Sequence, residues 1–508
     1  MVSNILSTVI VAGIVIFVAR VVGAQTYGEY TIALIPASIA MLVQDLGIFT
    51  ALTRFTALYH YDGREADLKG VVRTSIIFIA TLSAVLSLAI YASSDLIASM
   101  FLRRPDLDYL VKAVSFSVFG NGLLNAALSV FVGYEMMGLR SLVQIIAAVT
   151  KGVMMLLLVL MGLGAFGAVL AYSTSYLFGG FFGVLFILTF IKFKSTTGTI
   201  SSRDTLHIML AYGLPIYTGS LVSGGLTQWY NSLMTLNVPI DIIGNYGAAI
   251  NFGVLVSFVT LPIGIALFPL FSKTKRGDPQ LRRLFDASVK YTTMVTIPVV
   301  LLVILLSSHL INVVYGSGYP YTAIYLSIYL ITFAFEGLGG IPLNYLILGL
   351  GESRVSFLSS AVTFIVGAPL AFILIPRFQI YGILATLIIA PRVGWIYTML
   401  WMRRNLGFTI NWKSSTRIYA SSFLALLAGY TAINLLNLGD WATLILGSVT
   451  FLVAYLIALP ICRAINGDEI TELNEVAEVI GPLAPIFKTV LSLLRRLVNY
   501  PPLKRRAS

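Results

Sequence analysis

Apolar runs bounded by glycine, proline or charge clusters recur from one end of the chain to the other. They fall at 3–22, 28–50, 70–92, 108–133, 141–162, 165–191, 207–236, 243–271, 287–312, 319–348, 353–375, 380–402, 416–438 and 441–463. A bilayer crossing takes about 20 apolar residues, so the spacing predicts fourteen transmembrane helices, with twelve and thirteen also compatible with the pattern. Only helices or closed barrels satisfy backbone polar groups in lipid. The runs are continuous and do not alternate with period 2, which argues for helices and against a barrel. The expected fold class is an all-α polytopic membrane protein.

Composition agrees with this. Of 508 residues, 58% are hydrophobic and 11% charged, and the mean hydropathy is +0.92; a soluble domain carries about 25% charge. A soluble enzyme, a disordered chain and a disulfide scaffold are excluded. Cys462 is the single thiol, so no intrachain disulfide forms. Residues 1–23 lack a basic leading region and read as a first membrane helix, not a cleaved signal.

A net charge of +12 by itself could mark a nucleic-acid binder. Sorted along the fourteen spans, however, 26 of the 33 basic residues lie in alternate loops and the C-terminal segment, among them Arg54, Lys192, Lys194, Arg276 and Arg403. Five (Arg20, Arg103, Arg104, Lys112 and Arg377) lie on the other side, and Lys151 and Arg392 fall within spans. That bias is a positive-inside signature. It predicts cytoplasmic termini, an even number of crossings, residence in the cytoplasmic membrane and no nucleic-acid partner.

The chain repeats itself weakly at an offset of about 215 residues. Gly28-Glu29-Tyr30 is echoed by Gly244-Asn245-Tyr246, Phe166-Gly167-Ala168 by Tyr381-Gly382-Ile383, and Arg140 by Arg354. Two six-helix lobes of like orientation follow, at 1–195 and 205–405, with a helix pair at 414–463 and a polar tail at 464–508. Parallel repeats of this kind are a common transporter plan, with the pathway between the lobes. The tail begins acidic (Asp468, Glu469, Glu472, Glu475, Glu478). After Pro482 and Pro485, residues 486–497, with Lys488, Arg495 and Arg496, read as a basic amphipathic helix on the inner leaflet or as a solvated tail.

Catalytic signatures are missing. No phosphate-binding loop of the G-x-x-x-x-G-K-[ST] type occurs, and Gly162-Leu163-Gly164-Ala165-Phe166-Gly167 lies in a turn between two membrane helices, not between a strand and a helix. His60, His207 and His309 have no metal-ligand spacing. Neither an enzyme nor a cofactor or metal is expected.

Polar groups placed in lipid are the informative residues. A charge at the bilayer centre costs about 2.5–3.5 kcal/mol on insertion scales and usually faces a cavity or a partner. Four qualify: Asp45 about two-thirds along the second span, Lys151 central in the fifth, Glu336 central in the tenth beside Gly337, Gly339, Gly340 and Pro342, and Arg392 after Pro391 in the twelfth. They are expected either to pair, Asp45 with Lys151 and Glu336 with Arg392, or to line a cavity where the two cations attract an anionic head group. Asn121, Asn125, Gln228, Asn231, Asn251 and Asn344 form an uncharged set, suited either to interhelical hydrogen bonding or to sugar hydroxyls. The Gly179-Gly180-Phe181-Phe182-Gly183 cluster reads as close helix packing.

Ala19-Arg20-Val21-Val22-Gly23-Ala24, Tyr27-Gly28-Glu29-Tyr30, Gln44-Asp45-Leu46-Gly47 and Ala51-Leu52-Thr53-Arg54 together resemble the opening signature of polysaccharide-biosynthesis (Wzx-type) flippases. These belong to the multidrug/oligosaccharidyl-lipid/polysaccharide exporter superfamily. The likeness continues at Tyr212-Gly213-Leu214-Pro215, Gly244-Asn245-Tyr246 and Leu267-Phe268-Pro269-Leu270-Phe271-Ser272, and covers residues 1–463. The resemblance implies two six-helix lobes, alternating access, and movement of a polyprenyl-linked oligosaccharide for surface polysaccharide or glycoprotein assembly. It also makes Arg20, Asp45 and Arg54 family-typical positions, at a gate, latch or ligand contact. A cation-coupled multidrug exporter of the same fold, using Asp45 or Glu336, is the alternative, and a non-transporting scaffold for glycan-assembly enzymes a third. Expected partners are the lipid-linked glycan, membrane lipids, and glycosyltransferases or a polymerase of the same pathway, with the protein itself a monomer. The usual basic amphipathic lead-in before the first span is not present here, which puts a lateral N-terminal gate element in question.

Overall fold

The computed structural model describes residues 2–191, 201–436, 438–467, 469–471, 474, 489 and 491–496, with side chains from Gly13 onward. Lys192, Lys194, Lys488 and the acidic residues Asp468, Glu472, Glu475 and Glu478 fall outside the described residues, as does most of the tail. Among the described residues there are helices and no strands.

The principal helices are α1 (Val2–Gln44), α2 (Ile48–Tyr61), α3 (Glu65–Ala92), α4 (Asp108–Gly133), α5 (Met137–Leu158), α6 (Gly164–Phe190), α7 (Ser202–Asn237), α8 (Ile240–Asn251), α9 (Gly253–Ser272), α10 (Pro279–Tyr315), α11 (Thr322–Ala334), α12 (Gly340–Gly349), α13 (Ser353–Leu406), α14 (Trp412–Leu436) and α15 (Asp440–Ile461). Among the described residues ten stretches are long and apolar enough to cross a membrane, and an eleventh is formed by Thr322–Leu338 with Gly340–Gly349, bent by 53°. Three of these stretches are broken internally: α1 at Gly23 (φ 77°), Met137–Phe190 at Gly162 and Gly164 (φ 86° and 49°), and α13 at Gln379 (φ 51°). The latter two span 54 residues each, about 80 Å of helix against about 30 Å of hydrocarbon. Those two have the length for two crossings each, and the 43 residues of α1, broken at Gly23, have the length for two shorter ones, which is compatible with the fourteen that the hydropathy pattern predicts.

Two boundaries differ from expectation. The first and second spans have no loop between them; a single glycine at Gly23, which takes a positive φ without steric cost, turns the chain instead. The second span, expected at 28–50, divides at Leu46 (φ 44°) and Gly47 (φ 77°) and continues as α2 to Tyr61. Helix α2 buries Ile48, Ala51, Leu52, Thr56 and Tyr59, a stripe at helical period, while Arg54 and His60 on its other face lower its mean hydropathy and hide it from a membrane-span reading. Around Glu336, residues Phe335–Leu338 tighten into a 3₁₀ turn and Gly339 takes φ 89° before α12 starts.

The chain packs as two compact units. The first comprises Met1–Asn251, Val314–Thr322 and Ser360–Gly394, and the second Phe252–Val313, Ala323–Ser359 and Trp395–Ser508. These are defined by packing and differ in extent from the repeat halves 1–195 and 205–405. In the first unit Leu52, Leu68, Ile79, Phe131 and Val143 centre a buried cluster drawn from α2 through α5. Helices α4 and α6 approach closely through Gly120 and Gly180, so the glycine cluster in α6 serves helix packing.

In the second unit, Ile418, Phe451, Tyr455 and Leu459 join α14 to α15, and Phe271, Phe285, Leu343 and Met402 form a separate cluster. Residues 491–496 are helical, and Leu491 and Leu494 are buried against Tyr455, Ile465 and Ile470. Many large apolar side chains stay exposed, Leu188 at 72% and Leu435 at 81%, as lipid-facing residues do and soluble surfaces do not.

Candidate transport site

Two of the motif segments meet in the first unit. The break after α1 presents Gly47 to Gly213 of α7 so closely that a Cβ on either would collide with the other's backbone. The Tyr217 hydroxyl donates to the Leu42 carbonyl at 2.8 Å on one side of this contact. On the other, the exposed Arg54 guanidinium lies 4.1 Å from the centroid of the Tyr212 ring. Asp45 sits in the break itself, not within a span, and its carboxylate accepts the Phe49 N–H at 3.3 Å, holding the first turn of α2. A cation over an exposed ring contributes about 0.5–1 kcal/mol. Arg54→Ala and Tyr212→Leu should therefore show a coupling of that size in a thermal double-mutant cycle; additive losses would mean that the stacking contributes nothing.

A second gathering links Lys151 to Asn251. The Lys151 ammonium, half-buried on α5, lies 5.3 Å from the Tyr172 ring centroid. Tyr172 packs edge-on to Tyr176 at 5.0 Å and to Tyr30 at 6.5 Å, and Tyr30 lies 5.7 Å from Tyr27. The Asn251 amide donates to the Tyr27 hydroxyl at 2.7 Å. Tyr315 and Tyr319 extend the group, their rings 4.7 Å apart, and Tyr319 donates to the Ala19 carbonyl at 2.6 Å. Beside them the exposed Arg20 reaches the Val314 carbonyl at 3.4 Å.

The expected pairing of Asp45 with Lys151 is not formed. Among the described residues no carboxylate lies within ion-pair distance of Lys151, and Asp45 is committed to the α2 terminus. The Lys151 amine lies instead over the Tyr172 ring, whose quadrupole attracts a cation and partly replaces lost hydration.

Arg392, in the first unit, donates from Nε to the Ile388 carbonyl at 3.3 Å within its own helix. Glu336 lies in the second unit, in the break between α11 and α12, its carboxylate against Gly340. Half-buried Asn121 and Asn125 share one face of α4, with the Asn125 amide bonded to the Asn121 carbonyl at 3.0 Å. Asn231 and Gln228 of α7 lie 3.4 Å apart, amide to amide. Asn344 lies in α12 of the second unit.

Buried Gln44 was not singled out from the sequence. Its amide nitrogen bonds Ser83 and, at 2.9 Å, the Val118 carbonyl, tying α1 to α3 and α4. Among the described residues no three His, Cys, Asp or Glu side chains gather to hold a metal ion.

The family described as Polysaccharide biosynthesis protein matches over residues 17–323. The chain belongs to the polysaccharide biosynthesis protein family. The family described as Lipid II flippase MurJ matches over residues 242–454, so the two together take in both gatherings and the broken helix at Glu336. No curated protein matches the sequence.

Among solved structures, a lipid II flippase MurJ in an inward closed conformation is similar over 91% of this chain and 97% of its own, with 16% identity and a TM-score of 0.75. An inward-facing multidrug resistance MATE family transporter of the MOP superfamily is similar over 79% of this chain and 94% of its own, with 14% identity and a TM-score of 0.63. A mutant of the Vibrio cholerae MATE transporter VcmN gives the same coverage and identity with a TM-score of 0.52. At these identities the likeness is one of fold. The chain thus shares its fold with these transporters.

Proposed function

We propose that this protein moves a polyprenyl-(pyro)phosphate-linked oligosaccharide across the cytoplasmic membrane by alternating access, for surface polysaccharide or glycoprotein assembly. The observation that carries this is the joint match of the polysaccharide biosynthesis and lipid II flippase families across residues 17–454. The chain acts as a transporter and makes or breaks no covalent bond. It works as a monomer with both termini cytoplasmic, beside the glycosyltransferases or polymerase of its pathway.

Chemistry in the first unit fits such a substrate. Lys151, over the Tyr172 ring and without a carboxylate partner among the described residues, supplies a cation for a phosphate; Arg20, Arg54 and Arg392 are further cations of that unit. Asn121, Asn125, Gln228, Asn231 and Asn251 supply amide donors and acceptors for sugar hydroxyls. The two repeat halves, 1–195 and 205–405, act as the moving lobes.

Proteoliposomes carrying the protein and a fluorescent lipid-linked glycan test it directly. Protein-dependent exposure of the label to an outside quencher is the expected result, and a label that stays protected would remove the proposal. A cation-coupled exporter of the same fold is the alternative, favoured by Glu336 at a helix break of the kind where transporters hold ions. It requires cation-driven dye efflux that Glu336→Gln abolishes.

A further inference from the structure

In the second unit a cavity of about 400 Å³ opens among α10, the start of α14 and the turn that follows α15. Four cations line it, Lys290, Lys413, Arg417 and Arg463, against two carboxylates, Asp286 and Glu469. Lys290 is neutralised by its ion pair with Glu469. Arg417 spends one N–H on the Arg463 carbonyl at 3.1 Å. Among the described residues the Lys413 ammonium and the Arg463 guanidinium have no ion-pair or hydrogen-bond partner.

The backbone reinforces this asymmetry. Arg463 closes α15 with φ 56°, a left-handed position that glycine normally fills. An arginine there carries a conformational cost that places a guanidinium at the cavity wall. Facing these cations, Asp286 Oδ1 is buried without a hydrogen-bond partner, and Arg282 lies 3.9 Å from its other oxygen. The cavity therefore offers charge for an anion and, separately, an acceptor for a hydroxyl.

Its depth points to lipid. Trp412, next to Lys413, is 43% exposed and stacks edge-on against Trp395 at 6.2 Å. Exposed tryptophans collect at the bilayer–water boundary, the level at which headgroups lie. A cavity of this volume is the size of a small-molecule site and accommodates a phosphoglycerol.

We propose that this cavity binds the headgroup of an anionic lipid, a phosphodiester carrying a free hydroxyl, with Lys413, Arg463 and Arg417 on the phosphate and Asp286 accepting from the hydroxyl. The site is distinct from the substrate chemistry proposed above and depends on none of it.

The test is thermal stability of the purified full-length protein in mild detergent with added phosphatidylglycerol, phosphatidylcholine or sn-glycerol 3-phosphate. Phosphatidylglycerol alone should raise the melting temperature of the unaltered protein. Arg463→Gly and Lys413→Gln should each weaken that response by about fivefold in the lipid concentration required. Arg463→Gly should do so while melting at or above the unaltered protein in phosphatidylcholine, because glycine accepts the left-handed turn freely; if it melts lower, Lys413→Gln decides. A phosphatidylglycerol response retained in the double variant overturns the proposal, as does equal protection by phosphatidylcholine. Equal protection by sn-glycerol 3-phosphate overturns it too, by making the occupant a soluble anion.

Discussion

Gly244→Ala is expected to remove most of the folded protein from the membrane. A Cβ at Gly244 would be driven into the Ala24 carbonyl, and one at Gly28 into the Ile240 carbonyl. The two repeats of the Gly-x-Tyr tripeptide thus meet each other, each glycine admitting the backbone of the other's helix. Overpacking a close contact commonly costs about 1–3 kcal/mol, and more where neighbours cannot rearrange. Here the obstacle on both sides is main chain, which cannot rotate away as a side chain does. The α1–α8 crossing must therefore open as a whole, carrying with it the Tyr27–Asn251 hydrogen bond and the Tyr315 hydroxyl bond to Ala248 at 3.4 Å.

Gly28→Ala should fail in the same way, and the two losses should not add, since either one already separates the helices. Gly225→Ala is the control: nothing lies within 4 Å of its position, and alanine is the better helix former by about 1 kcal/mol. Abundance and melting temperature of a fluorescent fusion in detergent extracts measure all three. A Gly244→Ala protein as abundant as the Gly225→Ala control would show that the crossing is loose enough to absorb a methyl group.

The crossings were legible because hydrophobic length is a local property, and so was the turn at Gly162–Gly164; at Glu336 the neighbouring glycines and Pro342 were visible but the break between α11 and α12 was not read from them. Pairing was not legible. Asp45 and Lys151 share no sequence neighbourhood, and a membrane span fixes the depth of a residue but not the direction in which it points. Asp45 in fact leaves the helix altogether, since Leu46 and Gly47 both adopt positive φ; the glycine hinted at this and the leucine did not. Helix α2 is hard to see in the sequence because Arg54 and His60 dilute a stripe whose buried residues recur every third or fourth position.

The tyrosine gathering does leave a readable trace. Tyr27 with Tyr30, Tyr172 with Tyr176 and Tyr315 with Tyr319 are each three or four residues apart, the spacing that puts two side chains on one helix face. In an apolar chain each such doublet, like Tyr321–Tyr325 and Tyr325–Tyr329 at the same spacing, marks a helix face that carries hydroxyls, and a buried hydroxyl needs a partner. What the spacing could not give is that the three faces lie together, with Lys151 at one end and Asn251 at the other.

Lys151→Gln is expected to lower the initial rate of glycan exposure in proteoliposomes by about tenfold or more while leaving abundance unchanged. Placing an ammonium this deep costs about 2.5–3.5 kcal/mol on insertion scales, and no carboxylate among the described residues offsets it. Glutamine keeps most of the side chain's length and polarity but removes the charge, so the protein sheds that cost and should melt no lower than before. If the ammonium holds a phosphate, the lost charge-assisted hydrogen bond is worth about 1.5–3 kcal/mol, which is roughly a ten- to hundredfold change. Lys151→Arg should retain most of the rate, because the guanidinium still binds phosphate and still stacks on Tyr172. Asp45→Asn separates this from any residual pairing: an asparagine at a helix start still accepts from the Phe49 N–H, so its rate should stay near that of the unaltered protein. Rate and abundance falling together in Lys151→Gln, and failing to recover in Lys151→Arg, would instead make Lys151 a packing residue of the tyrosine cluster.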